Sequence, residues 1–148
     1  MGLLFIVFMA CNNEGKKKET GTKGPKTQAD SLMEDVMDGH DVGMSKYGKL
    51  EGSLKKVQQT LDSIATLPAK AQQAAAPLKA QLESVASDLN YAITAMDKWM
   101  QEFNMDSALD NMEERIRYLT DEKMKVGKVK EAILNSLQKA DSVSKARF

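Results

Sequence analysis

The residues best suited to chemistry in this sequence are one histidine and several methionines. His40 is the only histidine, and Met37 and Met44 stand three residues before it and four residues after it. In an α-helix these spacings place all three side chains on one face. Thioether sulfur and imidazole nitrogen are ligands that favour Cu(I), and His/Met is also a known axial pair for haem. The pattern makes copper or haem binding one candidate function.

A second stretch supplies the rest of this candidate site. If the chain folds back near Pro68, facing residues have numbers that sum to about 136, which places Met96 opposite His40 and Trp99 opposite Met37. A carboxylate beside His40 would accept a hydrogen bond from the ring nitrogen that does not bind metal. The candidate ligands are His40, Met37, Met44 and Met96, and the candidate supporting residues are Asp41, Trp99 and Met100.

Two other interpretations of the methionines stay open. Methionine at helical spacing fills irregular gaps in a core and packs well against aromatic rings, and His40 would then have a polar neighbour such as Asp41 as its partner. Methionine also lines adaptable grooves for a partner helix or peptide. No Cys-x-x-Cys-His attachment motif for haem occurs in the sequence.

The first ten residues are apolar and uncharged, and they end directly before the only cysteine, Cys11. Ten residues are too few to cross a bilayer as a helix, but they match the apolar part of a signal peptide. Ala10 followed by Cys11 is similar to the cleavage site of bacterial lipoproteins, in which the cysteine is lipidated. We expect residues 1–10 to be a signal peptide and Cys11 to carry the lipid. The alternative is an apolar terminus with an incidental thiol.

Residues 11–28 differ sharply from what precedes them. From Asn12 to Gln28 the chain holds five lysines, two glutamates, three glycines and one proline, a net charge of +3, and no large apolar residue. Such a segment cannot bury enough surface to offset its ordering entropy. We expect a disordered tether, with its lysines either simply solvated or close to anionic lipid headgroups.

The composition excludes several classes of protein. Twenty-one basic residues balance 21 acidic ones, so the chain lacks the basic footprint of a nucleic-acid-binding protein. One cysteine excludes an intrachain disulfide, and one histidine excludes a multi-histidine zinc site. Phosphate-binding loops and nucleophile elbows are missing, and carboxylates such as Glu122 stand among basic neighbours, as on a solvated helix face. We therefore expect a protein that is not an enzyme.

Apolar residues recur at spacings of three and four from residue 31 onward, which predicts three helices. Ser31 and Glu34 form a capping-box pattern at the start of the first. The second begins at Pro68 or Pro77 and ends at Phe103, and the third follows a short break at 104–106. The glycines of the first helix lower its helix propensity and permit close backbone approach; they are Gly39, Gly43, Gly48 and Gly52.

Short connections make sequential helices antiparallel neighbours. We expect an all-α, elongated antiparallel three-helix bundle, equivalent to a coiled-coil hairpin plus a third helix, over residues 29–143, with a frayed tail at 144–148. The alternative is an extended coiled coil that completes its core by self-association, and either arrangement is compatible with a homo-oligomer or a helical protein partner.

Two strings in this sequence are similar to a known family. Residues 33–44, MEDVMDGHDVGM, resemble a Met-x-x-x-Met-x-x-His-Asp-x-x-Met signature, and residues 95–103, AMDKWMQEF, resemble a Met-x-x-Trp-Met-x-x-Phe block. Both are features of small Bacteroidota lipoproteins that are sometimes labelled "viral A-type inclusion protein". The resemblance covers residues 1 to about 105 and implies a lipidated Cys11 and proximity of His40 to Trp99. It implies no reaction.

Together these observations predict a lipid-anchored protein of the bacterial cell envelope, at the outer membrane, with a structural or interaction role. The alternative function is periplasmic binding of copper or haem through His40 and the clustered methionines. No other cofactor is expected.

Overall fold

The computed structural model describes residues 25–145, which form three long α-helices and contain no strand. Helix α1 spans Gln28–Ala65, α2 spans Ala69–Glu102 and α3 spans Met112–Lys145. Each helix packs against the other two, so the predicted all-α three-helix bundle is confirmed. The leader, Cys11, most of the tether and the last three residues of the tail lie outside the described residues.

The start of α1 differs from the prediction by one turn. Thr27 is the N-cap: its hydroxyl accepts a hydrogen bond from the backbone N–H of Asp30, and the Asp30 carboxylate accepts one from the backbone N–H of Thr27. This is the reciprocal arrangement of a capping box, with aspartate in place of glutamate. The predicted cap at Ser31 and Glu34 is therefore wrong, because the helix already begins at Gln28 and both residues lie inside it.

A three-residue turn joins α1 to α2, with Thr66 as the C-cap of α1 and Pro68 as the N-cap of α2. Pro77 lies inside α2, so the helix starts after the first of the two candidate prolines. The turn makes the first two helices antiparallel. The ion pairs Lys123–Asp35 and Lys49–Asp141 show that α3 is parallel to α1 and runs in the same direction.

The connection between α2 and α3 is longer than the sequence predicted. It spans residues 103–111, beyond the break predicted at 104–106, and Leu109 within it is 62% exposed. Ala108 has φ of 55°, in the left-handed region that ends a helix or shapes a turn. The Asn111 side chain then accepts a hydrogen bond from the backbone N–H of Glu114, which places the true start of α3 at Met112.

The core lies along the axis where the three helices meet. Leu50 from α1, Leu89 from α2 and Ile133 from α3 have no exposed surface. The chain thus completes a core by itself, which favours the bundle over the extended coiled coil. At the other end of α3, helix continues through Ser144 and Lys145, so the prediction of a frayed tail is wrong for these two residues. None of the three helices has the continuous apolar length that crossing a bilayer requires.

Candidate functional site

His40 and Trp99 are in contact, as the predicted fold-back at Pro68 requires. Their ring centroids are 5.7 Å apart, with a tilt of 38° between the planes. Trp99 stacks in turn on Phe103 at 4.8 Å, and Phe103 lies 6.2 Å from Tyr118 of α3. The four rings form a row that crosses all three helices near the α1 N-terminus, the end from which the tether leaves.

The exact register of α1 against α2 was predicted incorrectly. His40 lies beside Trp99, where the sequence placed Met96, so the helices are offset by almost one turn. Side chains on a helix lean toward its own N-terminus. In an antiparallel pair the side chains of the two helices tilt in opposite directions. The residues that make contact therefore have higher numbers, on both helices, than the residues whose backbones lie at that level.

Two glycines of α1 bring the helices together at this level. A Cβ atom on Gly39 would lie 2.9 Å from Cγ1 of Val126, and one on Gly43 would lie 2.4 Å from Cε of Met96. Both glycines are buried. Within the described residues Gly48 and Gly52 have open space around them. Close approach, which the sequence suggested for all four, therefore applies to the first two.

Trp99 is hydrogen-bonded to a buried carboxylate on α3 that sequence analysis missed. The indole Nε1–H donates to Oε2 of Glu122 at 2.9 Å, and Glu122 is only 4% exposed. Nζ of Lys125 donates to the other carboxylate oxygen at 2.9 Å. The prediction of a solvated face is wrong for Glu122. Glu122 stands between the apolar residues Leu119 and Val126 at helical spacing, and this position was the signal that could have revealed its burial.

The Lys125 ammonium has two carboxylate partners on α3. Hydrogen bonds to Asp121 and Glu122, in that order of importance, raise the pKa of Lys125 above its ordinary value. The buried Glu122 is thereby bonded on both oxygens, to a neutral N–H and to a cation. Such full satisfaction is what makes burial of a carboxylate tolerable.

Asp41 contacts His40 as the sequence predicted. Nδ1 of the imidazole and Oδ1 of Asp41 are 2.9 Å apart, and the His40 side chain is 22% exposed. This contact fixes the orientation of the ring. Among residues 25–145 no hydrogen bond reaches the second ring nitrogen, Nε2, and no fully buried side-chain nitrogen lacks a partner, so Nε2 is accessible from outside.

The methionines of this end occupy three different environments. Met96 is completely buried, with its methyl group against Gly43. Met37 is half-buried, while Met44 and Met100 are each 37% exposed at the surface. Met105 and Met112 lie at the loop end and are more than half exposed. The predicted ligand Met96 thus belongs to the core, whereas Met37, Met44 and Met100 share the outer side of the α1–α2 pair with His40.

One hydrogen bond defines the register on that outer side. The Tyr47 hydroxyl donates to Oδ1 of Asp97 at 2.6 Å. This bond, followed by burial, raises the pKa of Tyr47 from 10.0 to about 12. One turn from Tyr47 and Asp97, toward the end of the bundle where α1 begins, the next residues on the same two faces are Met44 and Met100. The bond therefore places these two methionines at about the same level of the bundle.

Two other features bear on chemistry. Within the described residues no three side chains from His, Cys, Asp and Glu come together in a way that could hold a metal ion. A groove of about 820 Å³ lies between α1 and α3 toward the far end, beside Gly52, Lys56 and Asp141.

Compared with known proteins, the chain matches no family model, no curated protein and no solved structure. The resemblance to Bacteroidota lipoproteins consequently stays a prediction.

Proposed function

We propose that this protein is a lipoprotein of the bacterial cell envelope, whose helical bundle is held at the membrane by an acylated Cys11 and has a structural or interaction role. The observation that carries the proposal is the position of the α1 start. The helix is capped at Thr27, directly after the polar tract. A compact bundle preceded by an unpackable polar segment and an apolar leader is the organisation of an anchored domain.

The bundle geometry supports one end of the bundle as the point where the tether joins it. The α1 N-terminus, the α2 C-terminus and the 103–111 loop are at one end of the bundle. Fifteen residues separate Cys11 from Thr27, and that length of chain reaches at most about 55 Å. In the proposed arrangement the tether joins the bundle at the end that carries His40 and Trp99.

The exposed apolar side chains support an interaction role. Tyr91 is 66% exposed, and Val42 and Leu134 are each at least 40% exposed on neighbouring helices. In the proposed interaction role, these side chains contact a second copy or a helical partner protein. Size-exclusion chromatography with light scattering distinguishes the two: a dimer supports self-association, and a monomer supports a separate partner.

Membrane fractionation tests the anchor. The full chain is produced in a bacterium with an outer membrane, as wild type, as Cys11→Ser and as Asn13→Ser, a control that changes a polar tether residue and keeps the thiol. We expect the wild type and Asn13→Ser in the membrane fraction and Cys11→Ser in the soluble fraction. Equal membrane partitioning of all three chains would refute lipidation at Cys11.

A further inference from the structure

One face of α1 presents three soft donor groups to the surface. Met37, His40 and Met44 follow one another at spacings of three and four, so they form a single row on the helix. None of the three is fully buried: Met44 is 37% exposed, and the His40 side chain is 22% exposed. A metal ion at this row would not have to enter the core.

The imidazole of His40 is already oriented for binding. Asp41 holds Nδ1 at 2.9 Å, which selects the tautomer with a hydrogen on Nδ1 and a lone pair on Nε2. A carboxylate bonded to one ring nitrogen, with the other nitrogen accessible, is the arrangement that supports histidine ligands at metal centres.

A fourth soft donor comes from α2. The hydrogen bond from Tyr47 to Asp97 fixes the two helices, and Met44 and Met100 lie one turn from its two partners. Both methionines are 37% exposed, so neither side chain is enclosed in the core. Methionine has three flexible torsions, which allow its sulfur to adjust to an ion.

The ligand is an ion rather than a macrocycle, because the helices leave no slot between them at this level. Gly39 packs directly on Val126, and Gly43 packs directly on Met96. A haem held between the helices would have to separate these contacts. The same packing removes Met96 from the ligand set, since its side chain fills the core beneath Gly43.

We infer that His40 Nε2 and the sulfurs of Met37, Met44 and Met100 form a site for a single Cu(I) ion. These four residues are named the His/Met cluster. Three thioethers with one neutral imidazole favour Cu(I) over Zn(II), Mg²⁺ or Ca²⁺, which prefer harder ligands. The inference does not depend on the membrane anchor, because every proposed ligand lies in the bundle.

An anaerobic competition titration tests this site. The full chain carries Cys11→Ser, which removes the only thiol that would bind Cu(I) independently, and bicinchoninate serves as the competing chelator. Trp99, the only tryptophan, lies 5.7 Å from the His40 ring and reports binding nearby through its fluorescence. We expect about one equivalent of Cu(I) to bind and to quench Trp99.

Matched variants assign the ligands. Met44→Leu and Met100→Leu keep the side-chain volume and should each lower the Cu(I) affinity about tenfold or more, with a larger loss for His40→Ala. Met124→Leu is the control, since Met124 is also exposed (56%) but lies on α3. Circular dichroism verifies that every variant remains helical.

Three results would overturn the inference. The first is a Cu(I) affinity that is unchanged in His40→Ala, Met44→Leu and Met100→Leu, or that falls as much in the control Met124→Leu as in these variants. The second is tighter binding of Zn(II) than of Cu(I). The third is a Soret band with haemin that requires His40, in a chain that does not bind Cu(I).

Discussion

The Trp99 indole donates its hydrogen to the buried carboxylate of Glu122 at 2.9 Å, across the contact between α2 and α3. Both partners are at least 95% buried. Because the same tryptophan contacts His40 on its other side, this bond holds in place the ring against which the histidine of α1 packs.

Removing the carboxylate should destabilise the bundle. In Glu122→Ala the buried N–H of Trp99 has no acceptor, and we expect the free energy of unfolding to fall by about 1–3 kcal/mol. Glu131→Ala, at an exposed position of the same helix, should change it by less than about 0.5 kcal/mol. Urea denaturation followed by Trp99 fluorescence measures both, and equal effects would contradict a structural role for the bond.

The glycines of α1 should respond oppositely to alanine. Gly48→Ala adds a methyl group in open space and should raise the free energy of unfolding by about 0.5–1 kcal/mol, through helix propensity. Gly39→Ala places its Cβ against the stiff, branched side chain of Val126 and should lower it by about 1 kcal/mol or more. Thermal unfolding of the two variants is the measurement. A stabilised Gly39→Ala would show that α1 and α3 are farther apart than described.

Tyr47 should ionise at unusually high pH. The hydrogen bond to Asp97 favours the neutral hydroxyl and raises the pKa of Tyr47 to about 12. Since the folded pKa exceeds the ordinary value of 10.0, the stabilising contribution is complete below pH 10 and is lost as the pH rises from about 10 towards 12.

The difference between the tyrosinate absorbance titrations of wild type and Tyr47→Phe isolates this group. Asp97→Ala should return the difference titration toward pH 10, and circular dichroism shows that the helices persist over the range used. A Tyr47 transition near pH 10 in the wild-type chain would refute the hydrogen bond.

Two methionines should separate structure from binding. Met96→Leu changes the shape of a fully buried side chain and should lower the free energy of unfolding by up to about 1.5 kcal/mol, with little change in Cu(I) affinity. Met44→Leu should do the reverse: weaker Cu(I) binding and nearly unchanged stability. Denaturation and chelator competition on the same two proteins decide this, and a parallel loss of both properties in Met96→Leu would return Met96 to the ligand set.

Much of the fold follows from patterns that are local in the sequence. The three-and-four spacing of apolar residues indicated each helix, and Pro68 located the turn because proline suits a helix start. Once the chain turns there, His40 must lie near Trp99. These features were predictable because they depend on periodicity and on one backbone constraint.

The remaining features depend on tertiary contacts. The spacing within α3 places Glu122 between the buried residues Leu119 and Val126, but the donor that makes its burial tolerable is the Trp99 indole on another helix, which no pattern within α3 reveals. Sequence analysis named Met96 as a ligand, whereas Met100 lies on the outer side. This difference depends on the offset of α1 against α2, which the direction of the side chains changes by almost one turn. The late start of α3 depends on the left-handed backbone conformation of Ala108. Glycine at this position would have indicated that conformation, but alanine does not.

The most direct test of the proposed function is the intact mass of the mature protein purified from membranes. The account predicts a chain that begins at Cys11, has lost residues 1–10, and carries the added mass of acyl groups on its first residue. A mature chain that retains the leader, or one with an unmodified Cys11 thiol, would contradict it.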